Sequence, residues 1–150
     1  AGRKVALTLS DPFCVDRHRA EFMHLISGHV DIVFANEEET KSLFEVDDFD
    51  AALQRIRGHC DIAALTRSEK GSVIVAGNDI HVVDASPVGK VVDTTGAGDL
   101  FAAGFLYGLT RDRSLVDCGR IGGLAAAEII GHYGARPEVS LAKLLAESGI

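Results

Sequence analysis

The chain has 150 residues, of which 47% are hydrophobic and 25% charged, and its formal net charge is −7. This composition is typical of one folded domain with a hydrophobic core, and it excludes disordered and fibrous classes. An acidic chain without a Lys/Arg block is a poor match for a nucleic-acid binder. No apolar run is long enough to cross a bilayer, so we also expect no membrane partner.

Cysteine usage bears on the compartment. The three cysteines are far apart in the sequence and form no CxxC pair: Cys14, Cys60 and Cys118. An odd number of widely spaced cysteines argues against a disulfide framework. We therefore expect a reducing, cytoplasmic setting.

Apolar runs alternate with helical patterns in the first half of the chain. Strands are predicted over residues 5–9, 31–35 and 61–66, and helices over residues 16–27, 36–44 and 50–57. Ser10-Asp11-Pro12 is expected to end the first strand. Strands that alternate with helices are typical of a parallel sheet with crossover helices.

The second half begins with a hairpin pattern. Residues 72–76 and 80–84 are strand-like and flank Gly77-Asn78-Asp79. A loop or short edge segment follows over residues 87–92. Helices are then predicted over about 98–109, 114–132 and 141–147. Several glycines fall inside these helices, where each is unfavourable by roughly 0.5–1 kcal/mol relative to alanine, so we expect close backbone approach between packed helices.

The segment from Asp93 to Asp99 is the strongest candidate for a functional site. Gly96-Ala97-Gly98 opens an apolar helix, and a small-residue turn at a helix start leaves free N–H groups that suit a phosphoryl oxygen. Asp99 lies in the first turn of this helix, where a carboxylate could accept a proton from an attacking hydroxyl. The local pattern equally fits an N-cap at Thr95 and a helix-stabilising Asp99 with no chemistry.

Other motifs for phosphate binding or hydrolysis do not match. The chain contains no GxxxxGK[ST], and Phe101 stands where GxGxxG requires its third glycine. GxSxG and HExxH are also absent.

The stretch Asp93-Thr94-Thr95-Gly96-Ala97-Gly98-Asp99 resembles the second signature of the ribokinase-like (PfkB) family of carbohydrate and nucleoside kinases. The resemblance implies that Gly96, Ala97 and Gly98 form an anion hole, to which Thr95 adds a nucleotide contact. It also implies that Asp99 is the catalytic base, which activates an acceptor hydroxyl for attack on the γ-phosphate of ATP.

Three further segments resemble motifs of this family and follow its order. Asn36-Glu37-Glu38-Glu39 is similar to the NxxE motif, which implies that Asn36 and Glu39 hold Mg²⁺ and the phosphates through water. The run from Thr66 to Gly71 is similar to the TxGxxG nucleotide loop, with Ser68 in place of the middle glycine. Gly134-Ala135-Arg136-Pro137 looks like the segment that follows the last long helix, near the nucleotide. The resemblance further implies a monovalent-cation site, with K⁺ at Asp93.

The resemblance defines the overall expectations. The fold class is α/β, the C-terminal part of a ribokinase-like three-layer sandwich with a mostly parallel sheet and a terminal β-hairpin. Residues 1–150 are expected to form one ATP-binding, catalytic part, with the N-terminal acceptor-binding half and lid absent. The expected function is phosphoryl transfer from ATP to a nucleoside, with adenosine favoured, or to a sugar. The alternative is a nucleotide-binding module or fragment with no transfer activity of its own. The oligomeric state stays open.

Overall fold

The computed structural model describes residues 2–150. The strands are β1 (Ala6–Thr8), β2 (Ile32–Asn36), β3 (Ile62–Thr66), β4 (Ser72–Ala76) and β5 (Asp79–Val83). The helices are α1 (Pro12–Arg17), α2 (Arg19–Gly28), α3 (Glu37–Phe44), α4 (Phe49–Ile56), α5 (Ala97–Leu109), α6 (Leu115–Ile129) and α7 (Leu141–Ser148), and a 3₁₀ turn covers Ser68–Lys70.

The strands form one five-stranded sheet in the order β1-β2-β3-β4-β5. β1 pairs in parallel with β2, and β2 with β3, as the alternation of strands and helices predicted. Only Gly77 and Asn78 connect β4 to β5, which makes these neighbours a hairpin. β2, β3 and β4 carry runs of four buried residues, since their apolar sequences lie inside the sheet.

The chain divides into two compact units. The first unit runs up to Arg67 and includes Val73–His81. Its core consists of apolar residues from the strands and from the helices α1 to α4, among them Leu9, Ile26, Val33, Leu43 and Ile56. α3 and α4 both begin at polar caps, Asn36 and Asp48, whose side chains accept backbone N–H groups of the first helical turn.

The prediction for Asp11-Pro12 was incomplete. These residues do follow the first strand, but they also begin α1, a helix that the sequence analysis did not predict. Asp11 Oδ1 accepts the N–H of Cys14 over 2.8 Å, and Pro12 occupies the first helical turn, where its missing N–H leaves no gap. α2 then begins only at Arg19, so the predicted helix over residues 16–27 is two helices that meet at His18.

The second unit comprises Ser68–Ser72 and Val82–Ile150. α5 and α6 pack closely, and glycines make this packing feasible, as predicted. A Cβ on Gly104 would lie 2.8 Å from the carbonyl oxygen of Ile121, and one on Gly122 would lie 2.7 Å from that of Phe101. The resulting pair of helices supports the segment before α5 and the segment after α6. Across residues 2–150, no helix has the length and apolar character that spanning a membrane requires.

Candidate functional site

The turn before α5 is organised by the carboxylate of Asp93. Its Oδ1 accepts the backbone N–H of Thr95 over 3.0 Å and the Thr95 hydroxyl over 2.7 Å. Its Oδ2 accepts the N–H of Gly134 over 3.1 Å. The backbone and hydroxyl donors of Thr95, followed by Gly134, hold the pKa of Asp93 below its usual range. Asp93 is therefore an ionised anchor that joins two segments 41 residues apart.

Thr95 does not cap α5, contrary to the structural alternative for this segment. The N-cap is Gly96, whose φ of 81° lies in the left-handed region, while the Thr95 hydroxyl donates to Asp93 instead. A Cβ on Gly96 would lie 2.9 Å from the Cβ of Ala135. Both the backbone conformation and this neighbour therefore require glycine at position 96.

The beginning of α5 leaves backbone donors available. The N–H of Ala97 bonds to the Thr94 carbonyl, and that of Leu100 bonds to the Gly96 carbonyl. Between them, the N–H groups of Gly98 and Asp99 donate to no protein acceptor within residues 2–150. Both residues are exposed, and the space where a Cβ of Gly98 would lie is empty to 4 Å. Two adjacent free amides at the positive end of a 13-residue helix form an anion-binding arrangement.

In the first unit, Asn36 and Glu39 form a reciprocal capping box at the start of α3. Asn36 Oδ1 accepts the N–H of Glu39 over 2.8 Å, and Glu39 Oε2 accepts the N–H of Asn36 over 2.9 Å. Asn36 Nδ2 also donates to Glu39 Oε1 over 2.8 Å. Glu39 is only 5% exposed, and burial raises its pKa, against the lowering effect of the Asn36 N–H.

This geometry limits how Asn36 and Glu39 could serve a metal ion. Both oxygens of Glu39 already accept hydrogen bonds from Asn36, so the contacts with Asn36 use part of the carboxylate's capacity for a metal ion. Each carboxylate oxygen has a second lone pair, and water can bond there without breaking the box. Magnesium usually keeps several of its waters in protein sites, so a role through water fits these residues.

Thr66 lies next to Asn36, because the two residues are register partners at the ends of β3 and β2. The following residue, Arg67, is held on two sides. Its Nε bonds to Glu37 Oε2 over 2.9 Å, and its guanidinium lies 3.9 Å from the centroid of the Phe49 ring. Arg67 therefore fixes the end of β3 against the start of α3, a role that its place in the motif did not indicate.

Ser68 and Gly71 both have left-handed backbone conformations in the loop that follows β3. Ser68 stands at the place of the middle glycine in the TxGxxG pattern, and its φ of 51° lies in the left-handed region that favours glycine. Gly71 has φ of 82°, and a Cβ there would lie 2.0 Å from the carbonyl oxygen of Val83. Ser68 therefore adopts a backbone conformation that favours glycine, and Gly71 cannot be replaced without a clash.

The structure brings the predicted residues together in groups within each unit. The end of β2 and β3 in the first unit carries Asn36, Glu39 and Thr66. The segment around the start of α5 in the second unit carries Asp93, Thr95, Gly96, Ala97, Gly98, Asp99 and Gly134. Ser68 and Gly71 belong to the short 68–72 segment of the second unit. Sequence reasoning missed Ala135 as the neighbour of Gly96, because that contact depends on how the chain returns after α6.

Comparison with known proteins identifies the family. Residues 1–141 match the pfkB family of carbohydrate kinases, so the chain belongs to this family. It is 41% identical over 115 residues to an uncharacterized sugar kinase of Archaeoglobus fulgidus, across 76% of this chain and 45% of that protein.

Two solved structures are similar throughout the chain. A probable sugar kinase protein from Rhizobium etli is 54% identical, with a TM-score of 0.97 across 99% of this chain and 45% of that one. Adenosine kinase from Sinorhizobium meliloti is 53% identical, with a TM-score of 0.96 across 98% of this chain and 45% of that one. The predicted α/β ribokinase-like fold is thus confirmed. The chain spans 45% of the length of each of these three relatives.

Proposed function

We propose that this member of the pfkB family acts in ATP-dependent phosphoryl transfer to a hydroxyl group, with the segment from Asp93 to Asp99 as its phosphate-binding loop. The observation that carries the proposal is the pair of unpaired N–H groups at Gly98 and Asp99. Phosphate oxygens accept hydrogen bonds from such groups, and the helix dipole adds to the attraction. This local attraction acts on phosphate although the net charge of the chain is −7. The names of its relatives, which are sugar and adenosine kinases, support the same chemistry.

Asp99 is the proposed general base. Its carboxylate is exposed in the first turn of α5, beside the free amides. In the transfer step, the acceptor oxygen forms a bond to the γ-phosphorus of ATP and its proton passes to the Asp99 carboxylate, while the bond to the leaving ADP oxygen breaks. Gly96, Ala97 and Gly98 line the proposed anion hole, which stabilises the charge on the transferred phosphoryl group. Because the Ala97 N–H donates to the Thr94 carbonyl, the donors to the phosphate are the free N–H groups of Gly98 and Asp99.

Nucleotide and cations complete the proposal. Asn36 and Glu39 are proposed to act on Mg²⁺ through water, in keeping with the occupied capping box. Thr66, Ser68, Gly71, Thr95 and Gly134 are proposed nucleotide contacts. Asp93, whose lowered pKa keeps it negative, is the proposed residue for a monovalent cation such as K⁺.

The proposed acceptor is a nucleoside, with adenosine favoured, and a sugar is the second candidate. The 53% identity to an adenosine kinase supports the first, and the 54% identity to a probable sugar kinase supports the second. A cytoplasmic location is proposed on the three cysteines, all of which are free. Residues 1–150 are proposed to act as one ATP-binding, catalytic part.

Calorimetry with Mg·ATP and a transfer assay with adenosine and ribose test the proposal together. We expect saturable ATP binding by the chain. Binding without transfer would favour the alternative of a nucleotide-binding module, and the absence of binding would contradict both functions.

A chimera tests the role of Asp99 separately. This chain would replace the matching 45% of the Sinorhizobium meliloti adenosine kinase, and the Asp99→Asn variant would be compared with the parent chimera. We expect Asp99→Asn to lower turnover by about 10²-fold or more while ATP affinity stays within a few-fold, because a base contributes roughly 10²–10⁴-fold. Asp50→Asn, in the first turn of α4, is a matched control with unchanged turnover. Undiminished turnover in Asp99→Asn would refute the base assignment.

A further inference from the structure

Glu128 is a buried carboxylate at the end of α6, a position to which the proposed function gives no role. Its side chain is 8% exposed, and its Oε1 accepts three hydrogen bonds. The donors are Nε2 of His132 at 3.2 Å, the N–H of Glu138 at 2.9 Å and the N–H of Val139 at 3.3 Å. Oε2 is buried and has no partner within residues 2–150. Burial of a carboxylate is energetically unfavourable unless its hydrogen bonds stabilise the surrounding structure.

The three donors belong to the segment of residues 130–139, which we name the return segment. Its first residue, Ile130, accepts the N–H of Val92 over 2.8 Å. In its middle, Gly134 donates to Asp93 Oδ2 and Ala135 lies against Gly96. The return segment therefore packs along one side of the phosphate-binding loop.

Glu128 binds the C-terminal end of the return segment, at Glu138 and Val139. Among the described residues, the hydrogen bonds that join residues 132–139 to α6 all end at Oε1 of Glu128. Without them, no hydrogen bond of the described residues would join residues 132–139 to α6, and the contacts with Asp93 and Gly96 would have to order Gly134 and Ala135.

We propose that Glu128 is a positioning residue for phosphate binding, which acts through the return segment to hold Gly134 against Asp93 and Ala135 against Gly96. This inference rests on the proposed function, because it concerns the same loop. It assigns Glu128 no contact with substrate or cofactor.

Two substitutions at position 128 separate positioning from stability. Glu128→Leu removes all three hydrogen bonds. Glu128→Gln keeps an oxygen acceptor for them, removes the negative charge and puts an amide nitrogen where Oε2 already has no partner. Both variants change the buried carboxylate, but only Glu128→Leu should disturb the loop. Glu147→Leu, at an exposed glutamate of α7, is the control.

The first measurement is hydrogen exchange of the Gly134 amide, which needs no ligand. We expect exchange to be about tenfold faster in Glu128→Leu, because loss of these bonds lowers the free energy of local opening by about 1.4 kcal/mol. In Glu128→Gln, we expect exchange within about threefold of wild type. Unchanged exchange in Glu128→Leu, or equal acceleration in both variants, would overturn the proposal.

The second measurement is affinity for ATP and for inorganic tripolyphosphate. We expect Glu128→Leu to lose affinity for both by the same factor, about tenfold, and Glu128→Gln and Glu147→Leu to retain it. A loss confined to ATP, or faster Gly134 exchange with unchanged affinity, would overturn the proposal. If the wild-type chain bound neither compound, the proposed function would fail, while the exchange comparison would still decide whether Glu128 holds the segment.

Should Glu128→Leu not fold, Glu138→Pro replaces it. Proline removes the backbone donor of the shortest of the three bonds and leaves the buried carboxylate intact. The same two measurements apply, with the same contradictory results.

Discussion

Asp93 and Gly134 are joined by a hydrogen bond of 3.1 Å, although 41 residues separate them. The acceptor is a carboxylate oxygen of Asp93, and its other oxygen accepts both hydrogen bonds from Thr95, so one side chain joins the turn before α5 to the return segment. The conformation of the turn at Asp93 therefore depends on the position of the return segment that follows α6.

Asp93→Asn tests this connection through pH. The pKa of Asp93 is lowered in the folded chain, so its stabilising contribution is present above the unfolded value of about 3.9 and is lost as pH falls through the folded value. We expect the variant to unfold at lower urea concentration than wild type at pH 7, and the difference to shrink below about pH 4. A difference that is constant between pH 7 and pH 3 would contradict the account.

Gly71→Ala should be strongly destabilising. The new Cβ would meet the Val83 carbonyl oxygen at 2.0 Å, and the residue has a left-handed φ of 82°. Overpacking and backbone strain together predict a loss of about 3 kcal/mol in the free energy of unfolding. Gly77→Ala is the control, because Gly77 also has a positive φ but nothing within 4 Å, so it should lose only about 1 kcal/mol. Equal losses in the two variants would show that the close approach to Val83 has no energetic weight.

Ser68→Gly should stabilise the chain. Ser68 has φ of 51°, where an L residue is strained by roughly 1–2 kcal/mol, and glycine loses about 0.5–1 kcal/mol of that gain through chain entropy. We therefore expect a net gain of about 0.5 kcal/mol in urea unfolding. Ser27→Gly, inside α2, should change stability in the opposite direction. Destabilisation by Ser68→Gly would mean that the serine side chain contributes more than its backbone strain removes.

Arg67→Met should lower the free energy of unfolding by about 1–2 kcal/mol, because it removes the bond to Glu37 and the cation from the Phe49 ring. Arg67→Lys should restore little of this, since an ammonium group lacks the planar face that stacks on the ring. A double-mutant cycle with Phe49→Leu isolates the ring contact, with an expected coupling of about 0.5–1 kcal/mol. A coupling of zero would leave the ion pair as the only contribution of Arg67.

Much of the fold could be predicted from the sequence, because buried parallel strands have continuous apolar runs. β2, β3 and β4 lie within one or two residues of the predictions for that reason. The helix at Pro12 was missed because proline is favoured both after a strand and in the first turn of a helix. The pattern around Asp11 did not distinguish these roles.

The candidate site was predictable in its residues more than in its contacts. The glycines and Asp99 stand out in the sequence, but the partner of Thr95 did not, since its hydroxyl could equally cap a helix or bond to Asp93. The contacts of Asp93 with Gly134 and of Gly96 with Ala135 depend on where α6 ends and how the chain turns back. Local patterns carry no information on such tertiary contacts.

The backbone amide signals of Gly98 and Asp99 during titration with Mg·ATP provide the most direct test of phosphate binding at this loop. The account predicts that these two amides show the largest shifts, move with a single saturable affinity, and move in the same way with inorganic tripolyphosphate. Amides that stay unchanged at saturating Mg·ATP, or that shift only with ATP while tripolyphosphate shifts other residues, would contradict the assignment of Asp93–Asp99 as the phosphate-binding loop.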